Sequence, residues 1–463
     1  MTKQNVVVIG GAGHVGLPFS IVLANSGHFN VTGIDLDSVK CHRLNGGEMI
    51  YEEVGGKKAL DRALASGCLE FACDLNNAYL ANADVIAIMI GTPVDSENNP
   101  RLDDMFDYVD KTLVPVLADR FYADKETLVL LRSTVSPGTT DRVRNRVING
   151  LFHRDPLKFH AKTMSGQYDK LVHIVFAPER VAQGYGIIET ASFPQIVGAH
   201  TKEAWVASQW FFRKFTSEDP ILLGTVEAEL AKLITNMTRY VNFALANEFY
   251  MIGTKFAEQF KTDVNMDKII DACNKNYSRM NLPKPGPNVG GPCLFKDGRF
   301  LTTGIPFADL INTSFLINEG FPAFIMEQIR KRLDSDQYNG PVETIGILGA
   351  TFKKDNDDIR NSLSFKMAKI VREAGPEVIM HDPFWKDKDK RNKSFTEVMN
   401  KSDVIIIMTP HTPFVEALNK RLYEHAPVGD VMRKTLIVDI WKCLDMSKKT
   451  DDGIFYGVYR QNG

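Results

Sequence analysis

The chain has 463 residues, beyond the about 250–300 at which a single hydrophobic core stops growing, so two or three domains are expected. Its 55 basic and 57 acidic residues are interleaved and nearly cancel, which excludes a broad field of one sign for a nucleic-acid backbone or an anionic membrane. With 44% hydrophobic and 24% charged residues, and no apolar run of the roughly 20 residues that insert into and cross a bilayer, the composition is that of a soluble globular protein with a large core.

The N-terminus enters an apolar run at Val6 without a signal-like segment. The six cysteines, at 41, 68, 73, 273, 293 and 443, show no CxxC pairing, and the ten histidines lack metal-ligand spacing. A reduced, cytoplasmic setting is therefore expected, with no metal and no disulfide framework.

In chain order, VVVIG (6–10), VTGID (31–35), DVIAIMI (84–90) and TLVLLRS (127–133) are short β-branched runs alternating with helical patterns, which predicts parallel strands joined by helices. HIVFAPER and PQIVGA, within 170–198, extend the same sheet. From Thr225 to about Phe260, Leu230, Leu233, Ile234, Met237, Val241, Leu245 and Phe249 recur at spacings of three and four without proline, predicting one long helix. A helix of that length connects domains or forms an oligomer interface. PKPGPNVGGP (283–292) must be a loop, read here as flexible. A second alternating pattern follows, with IGILGA from Thr344, EVIMHDP (377–383), DVIIIMTP (403–410) and TLIVDIW (435–441). The expected class is α/β: two Rossmann-like, doubly wound parallel-sheet domains, joined by a long central helix and a helical middle domain. The expected boundaries are 1–215, 216–330 and 331–463.

Gly11-Ala12-Gly13-His14-Val15-Gly16 follows the first strand and opens an apolar helix, the context a dinucleotide fingerprint requires. The glycines permit a tight turn, close backbone approach to pyrophosphate and close packing of helix on strand. Asp35 ends the second strand, where an acid hydrogen-bonds the ribose 2'-hydroxyl and repels a 2'-phosphate, so NAD is favoured over NADP. From this end alone a flavin also fits.

Cys293 follows the glycine loop, four residues before Asp297. A thiolate there could attack a carbonyl, although a lone cysteine equally reads as a small core residue. Lys232 and Asn236, at i and i+4, project from one helix face and could stabilise an oxyanion; a solvated lysine and a packing asparagine would carry the same spacing.

The ordered motifs resolve this. GTP (91–93), RSTVSPGTT (132–140), APER (177–180), Lys232-x-x-x-Asn236, ANE (246–248), PGPNVGGPC (285–293) and FKKDNDDIRNS (352–362), with the glycine fingerprint, resemble the UDP-glucose/GDP-mannose dehydrogenase family over nearly the whole length. The resemblance implies an NAD-binding first domain, a central dimerisation domain carrying the cysteine loop, and a C-terminal UDP-sugar-binding domain.

It further implies a four-electron oxidation of a nucleotide sugar's C6 alcohol to a uronate, for polysaccharide biosynthesis, with two NAD reduced in turn. Cys293 matches the cysteine that forms a thiohemiacetal and then a thioester, which water hydrolyses. Lys232 and Asn236 match the groups that stabilise oxyanions, Asp297 the acid that supports proton transfer, and Thr134 and Glu179 those that bind or activate the water. Gly11, Gly13, His14, Val15, Gly16, Asp35, Thr92 and Thr134 are the expected cofactor contacts; Glu179, Arg180, Lys232, Asn236, Arg279, Gly290, Lys353 and Arg360 are the expected substrate contacts. Arg279 resembles an arginine acting across a dimer, so a homodimer or larger homo-oligomer is expected.

For the sugar, the APER form, the Arg279-to-Cys293 spacing and the Pro-Gly-Pro run are similar to the UDP-N-acetylhexosamine subgroup, acting on UDP-ManNAc or UDP-GlcNAc, the preferred reading. Lys296-Asp297 resembles the UDP-glucose subgroup and Arg132 the GDP-mannose subgroup. Rival readings are a two-electron hydroxyacid-type dehydrogenase, which would need neither Cys293 nor a third domain, and an inactive nucleotide-sugar-binding protein.

Overall fold

The computed structural model describes residues 3–73, 77–334, 341–385, 390–423, 435–445 and 455–456. The chain divides into two compact units, Met1–Thr235 with Lys296–Ile305, and Asn236–Phe295 with Pro306–Gly463.

In the first unit the apolar runs form β1 (Gln4–Ile9), β2 (Phe29–Ile34), β3 (Leu69–Ala72), β4 (Val85–Ile88), β5 (Thr127–Leu131), β6 (Val172–Phe176), β7 (Ile196–Ala199) and β8 (Ile221–Leu223). They make one sheet in the order β3-β2-β1-β4-β5-β6-β7-β8. All neighbours are parallel except β6 and β7, which pair antiparallel through Val175 with Ala199 and Phe176 with Gly198. Alternation sends Val7 and Ile9 of β1 into one core and Val6 and Val8 into the other. Both faces are therefore covered, as a mostly parallel sheet with crossover helices requires. β3 and β8 were not anticipated from the sequence, and the reversal of β7 departs from an all-parallel reading.

In the second unit β9 (Thr344–Leu348), β10 (Glu377–His381), β11 (Val404–Ile407), β12 (Leu436–Val438) and β13 (Phe455–Tyr456) form a parallel sheet in the order β10-β9-β11-β12-β13. The strands again split by alternation: Ile345, Ile347, Val404 and Ile406 face one core, and Leu348, Ile405 and Ile407 the other. Helices Met266–Asn274 and Asp309–Leu333 supply the expected helical middle, so the α/β class with two doubly wound sheets holds.

The uninterrupted helical pattern does form one helix, Thr225–Phe260. Its apolar residues are not all covered. Ala228, Leu233, Met237, Tyr240, Ala244 and Ala257 are buried, whereas Ile234, Leu245, Phe249, Ile252, Phe256 and Phe260 are 36–64% exposed. At 3.6 residues per turn these exposed positions line a single stripe.

Candidate functional site

The order β3-β2-β1-β4 reverses direction between β1 and β4, which opens a crevice at the carboxyl ends of those strands. The fingerprint loop leaves β1 on one side and the loop carrying Thr92 leaves β4 on the other. A Cβ on Gly11 would lie 2.4 Å from the Gly33 Cα, and one on Gly16 2.1 Å from the Gly10 carbonyl oxygen. These two glycines therefore let helix Gly16–Asn25 close on the sheet. A Cβ on Gly13 would meet only the Gly10 carbonyl oxygen, at 3.2 Å, so this glycine keeps the rim of the loop open. The first turn of a helix leaves backbone N–H groups without intrahelical acceptors, and these suit pyrophosphate.

His14 packs on Tyr51, with ring centres 3.7 Å apart, and the Tyr51 hydroxyl donates to the Ala12 carbonyl, bracing the loop from behind. Val15 stands exposed beside it. Asp35, half-buried at the end of β2, accepts the Asp37 N–H at 3.1 Å with one carboxylate oxygen. The residues present thus fit a dinucleotide with an unphosphorylated adenosine ribose.

Next to this crevice the Thr92 hydroxyl donates to the Thr134 carbonyl at 2.7 Å. The Lys296 ammonium donates to the Thr92 carbonyl and hydroxyl at 2.9 and 3.1 Å, and Asp297 beside it is fully buried. Lys296 was read in the sequence only as a subgroup marker. Its spacing of three from Cys293, on a helix, was the available signal. Glu179 is buried and paired with Arg132, and its second oxygen accepts the Arg180 N–H at 2.9 Å. Arg180 donates from its guanidinium to the Pro194 carbonyl.

Lys232 and Asn236 share one face of the long helix and are both buried, so the solvated-lysine reading fails. Lys232 is 8% exposed, and among the described residues no carboxylate pairs with it and no acceptor takes its protons. The side chain is thus covered along its length while its ammonium keeps its protons for a ligand, the arrangement an oxyanion-stabilising group needs.

In the second unit Cys293 is exposed and immediately precedes helix Leu294–Thr302. The loop before it, read from the sequence as flexible, is anchored by hydrogen bonds and close backbone contacts. Asn288, buried within it, directs its amide to Thr351, Ser362, Ser364 and Thr409 and accepts the Leu363 N–H at 2.8 Å. Gly290 lies so close to the Asn361 carbonyl that a Cβ would stand 2.4 Å from its oxygen, and Gly291, at φ +100, packs on the Phe352 ring. These glycines serve close approach, not flexibility. Lys353 is half-buried, Arg360 is exposed and forks onto Asp358, and Arg279 is exposed with its guanidinium over the Tyr277 ring.

Comparison with known proteins places these observations. Residues 4–216 match the NAD binding domain of the UDP-glucose/GDP-mannose dehydrogenase family, residues 226–316 its central domain, and residues 346–446 its UDP binding domain. The chain is 26% identical over 449 residues to the UDP-N-acetyl-D-mannosamine dehydrogenase of Methanococcus aeolicus, covering 97% of this chain and 94% of that one. It is 28% identical over 434 residues to the enzyme of the same name from Pyrococcus horikoshii, covering 94% of each. A solved structure of UDP-D-ManNAc dehydrogenase from Pyrococcus horikoshii superposes with a TM-score of 0.79 at 26% identity, covering 98% of both chains. No helix among the described residues is long and apolar enough to cross a membrane. With a dinucleotide crevice, a cysteine loop and all three domains present in order, the chain belongs to the UDP-glucose/GDP-mannose dehydrogenase family.

Proposed function

We propose that this chain oxidises the C6 primary alcohol of UDP-N-acetyl-D-mannosamine to the carboxylate, consuming one water and two NAD per sugar. The names of its relatives support the sugar. The observation that carries the chemistry is Lys232, a lysine on the covered face of the long helix whose ammonium no carboxylate takes among the described residues. NAD, when bound in the crevice, accepts two electrons in each of two oxidations.

The residues of the chain supply the rest. The Cys293 sulfur adds to the C6 aldehyde, its proton passing to the new hydroxyl, to give a thiohemiacetal. Oxidation of that carbon gives a thioester, and water displaces the thiol to leave the acid. Lys232 and Asn236 stabilise negative charge on the C6 oxygen through these steps. Asp297 supports proton transfer, and Thr134 and Glu179 hold the attacking water. Arg180, Arg279, Gly290, Lys353 and Arg360 contact the nucleotide sugar, in a chain divided at about 215 and 330 into cofactor, central and UDP-binding parts. UDP-N-acetylglucosamine, UDP-glucose and GDP-mannose are the competing substrates. A panel of these sugars, assayed for NADH released per sugar consumed, tests the proposal: two NADH with UDP-N-acetyl-D-mannosamine is expected. One would indicate a simple alcohol dehydrogenase and none a binding protein.

The exposed stripe of Ile234, Leu245, Phe249, Ile252, Phe256 and Phe260 supports a homodimer built on the long helix. Light scattering should give twice the chain mass, and Phe256→Asp should shift it toward monomer; a wild-type monomer at all working concentrations would refute this.

A further inference from the structure

Three strand ends meet under Glu179. Arg132 directly follows β5, Glu179 lies three residues past β6, and Gln195 directly precedes β7. Because β7 runs antiparallel to β6, its first residues stand at the same edge of the sheet where β5 and β6 end. The Arg132 guanidinium donates to one Glu179 oxygen and lies 3.3 and 3.4 Å from the Gln195 amide oxygen. Its central carbon sits 4.4 Å from the Phe19 ring centre and 5.7 Å from that of Phe212. The arginine side chain is 0% exposed.

We infer that Arg132 is a positioning residue that holds the Glu179 carboxylate aimed for the reaction, an inference that rests on the water-binding role proposed for Glu179. A buried ion pair is a poor device for stability, since apolar residues of similar volume serve as well or better. This one sits at the carboxyl edge of the sheet, two residues before Thr134, whose carbonyl takes the Thr92 hydroxyl. Phe19 belongs to the helix opened by the fingerprint glycines, so the stacked guanidinium also ties the carboxylate to the cofactor-binding helix. Lysine would supply the charge but neither the planar stack nor the fork that spans Glu179 and Gln195.

The test compares Arg132→Lys, Arg132→Met and Glu179→Gln, singly and combined, in the full chain with NAD and UDP-N-acetyl-D-mannosamine. Arg132→Met, which removes the charge and the fork together, should lower kcat further than Arg132→Lys does. Arg132→Lys, which keeps the charge and the fold, should lower kcat by about tenfold or more while leaving NAD affinity within about twofold. Added to Glu179→Gln, it should cost little further. Equal losses in both backgrounds would overturn the inference, as would full activity of Glu179→Gln. A wild type that turns over no nucleotide sugar would refute the parent reading instead. A crystal structure of Arg132→Lys would then still decide the positioning: a Glu179 carboxylate swung away from the Arg180 N–H supports it, and an unmoved carboxylate overturns it.

Discussion

Replacing Asn288 tests whether the cysteine loop is held rigidly. Its amide nitrogen lies 3.0 Å from the Thr351 carbonyl oxygen and 3.0, 3.1 and 2.9 Å from the hydroxyl oxygens of Ser362, Ser364 and Thr409. Two of those hydroxyls already donate elsewhere, Ser364 to the Gly349 carbonyl and Thr409 to the Thr351 carbonyl, so they offer only lone pairs to the amide. With two protons to give and one accepted bond from Leu363, Asn288 makes three net hydrogen bonds in a buried setting. At about 1 kcal/mol each, plus the cost of an orphaned Leu363 N–H, Asn288→Ala should destabilise the second unit by about 3–5 kcal/mol. For a unit of this size that lowers its transition by about 6–20 °C. Asn288→Asp should be worse, because it turns a carboxylate toward four oxygens. Calorimetry reads the transition, and steady-state kinetics should show a lower kcat with unchanged KM for NAD. An Asn288→Ala protein melting within about 1 °C of wild type would refute the reasoning.

Other substitutions separate packing from binding. Gly11→Ala should fail to fold or lose the cofactor altogether, whereas Gly13→Ala, whose Cβ meets only the Gly10 oxygen, should keep its melting temperature and bind NAD more weakly by calorimetric titration. Lys232→Met removes the ammonium and keeps the length of the side chain, so kcat should fall by about 100-fold or more, while thermal stability stays within about 1 kcal/mol of wild type by differential scanning calorimetry. In the second unit burial alone would raise the Asp382 carboxyl, but hydrogen bonds from His411 and the N–H groups of Thr351 and Phe384 hold it below the usual carboxylate range. Its stabilising contribution is therefore present above about pH 4 and lost as pH falls through the depressed value. Asp382→Asn should narrow its deficit against wild type on acidification in urea titrations, and a deficit constant from neutral to acid pH would contradict this.

Much of the fold was legible because its signals are local. The β-branched runs at β1, β2, β4 and β5 and the proline-free stretch from Thr225 needed only their own neighbours. β3, four residues long, and β8, three, carry too little pattern to stand out. Nothing local encodes the reversal of β7, which depends on how the chain from Ala177 to Gln195 returns to the sheet edge. Periodicity also cannot say which apolar residues of the long helix are covered. For the site, residue types and order pointed to Lys232, Asn236, Cys293 and the fingerprint glycines. The role of Asn288 and the clustering of Arg132, Glu179 and Gln195 were not readable, since their partners lie 47 to 121 positions away. Glycine in the cysteine loop was read as mobility when its geometric reason is contact with Asn361 and Phe352.

Rapid acid quenching of the enzyme during turnover, followed by intact-mass and peptide analysis, tests the covalent route most directly. A fraction of the protein should carry the oxidised sugar nucleotide as a thioester on the Cys293 peptide, and Cys293→Ala should carry none and form no uronate. Uronate formation by Cys293→Ala at the wild-type rate would contradict the covalent route.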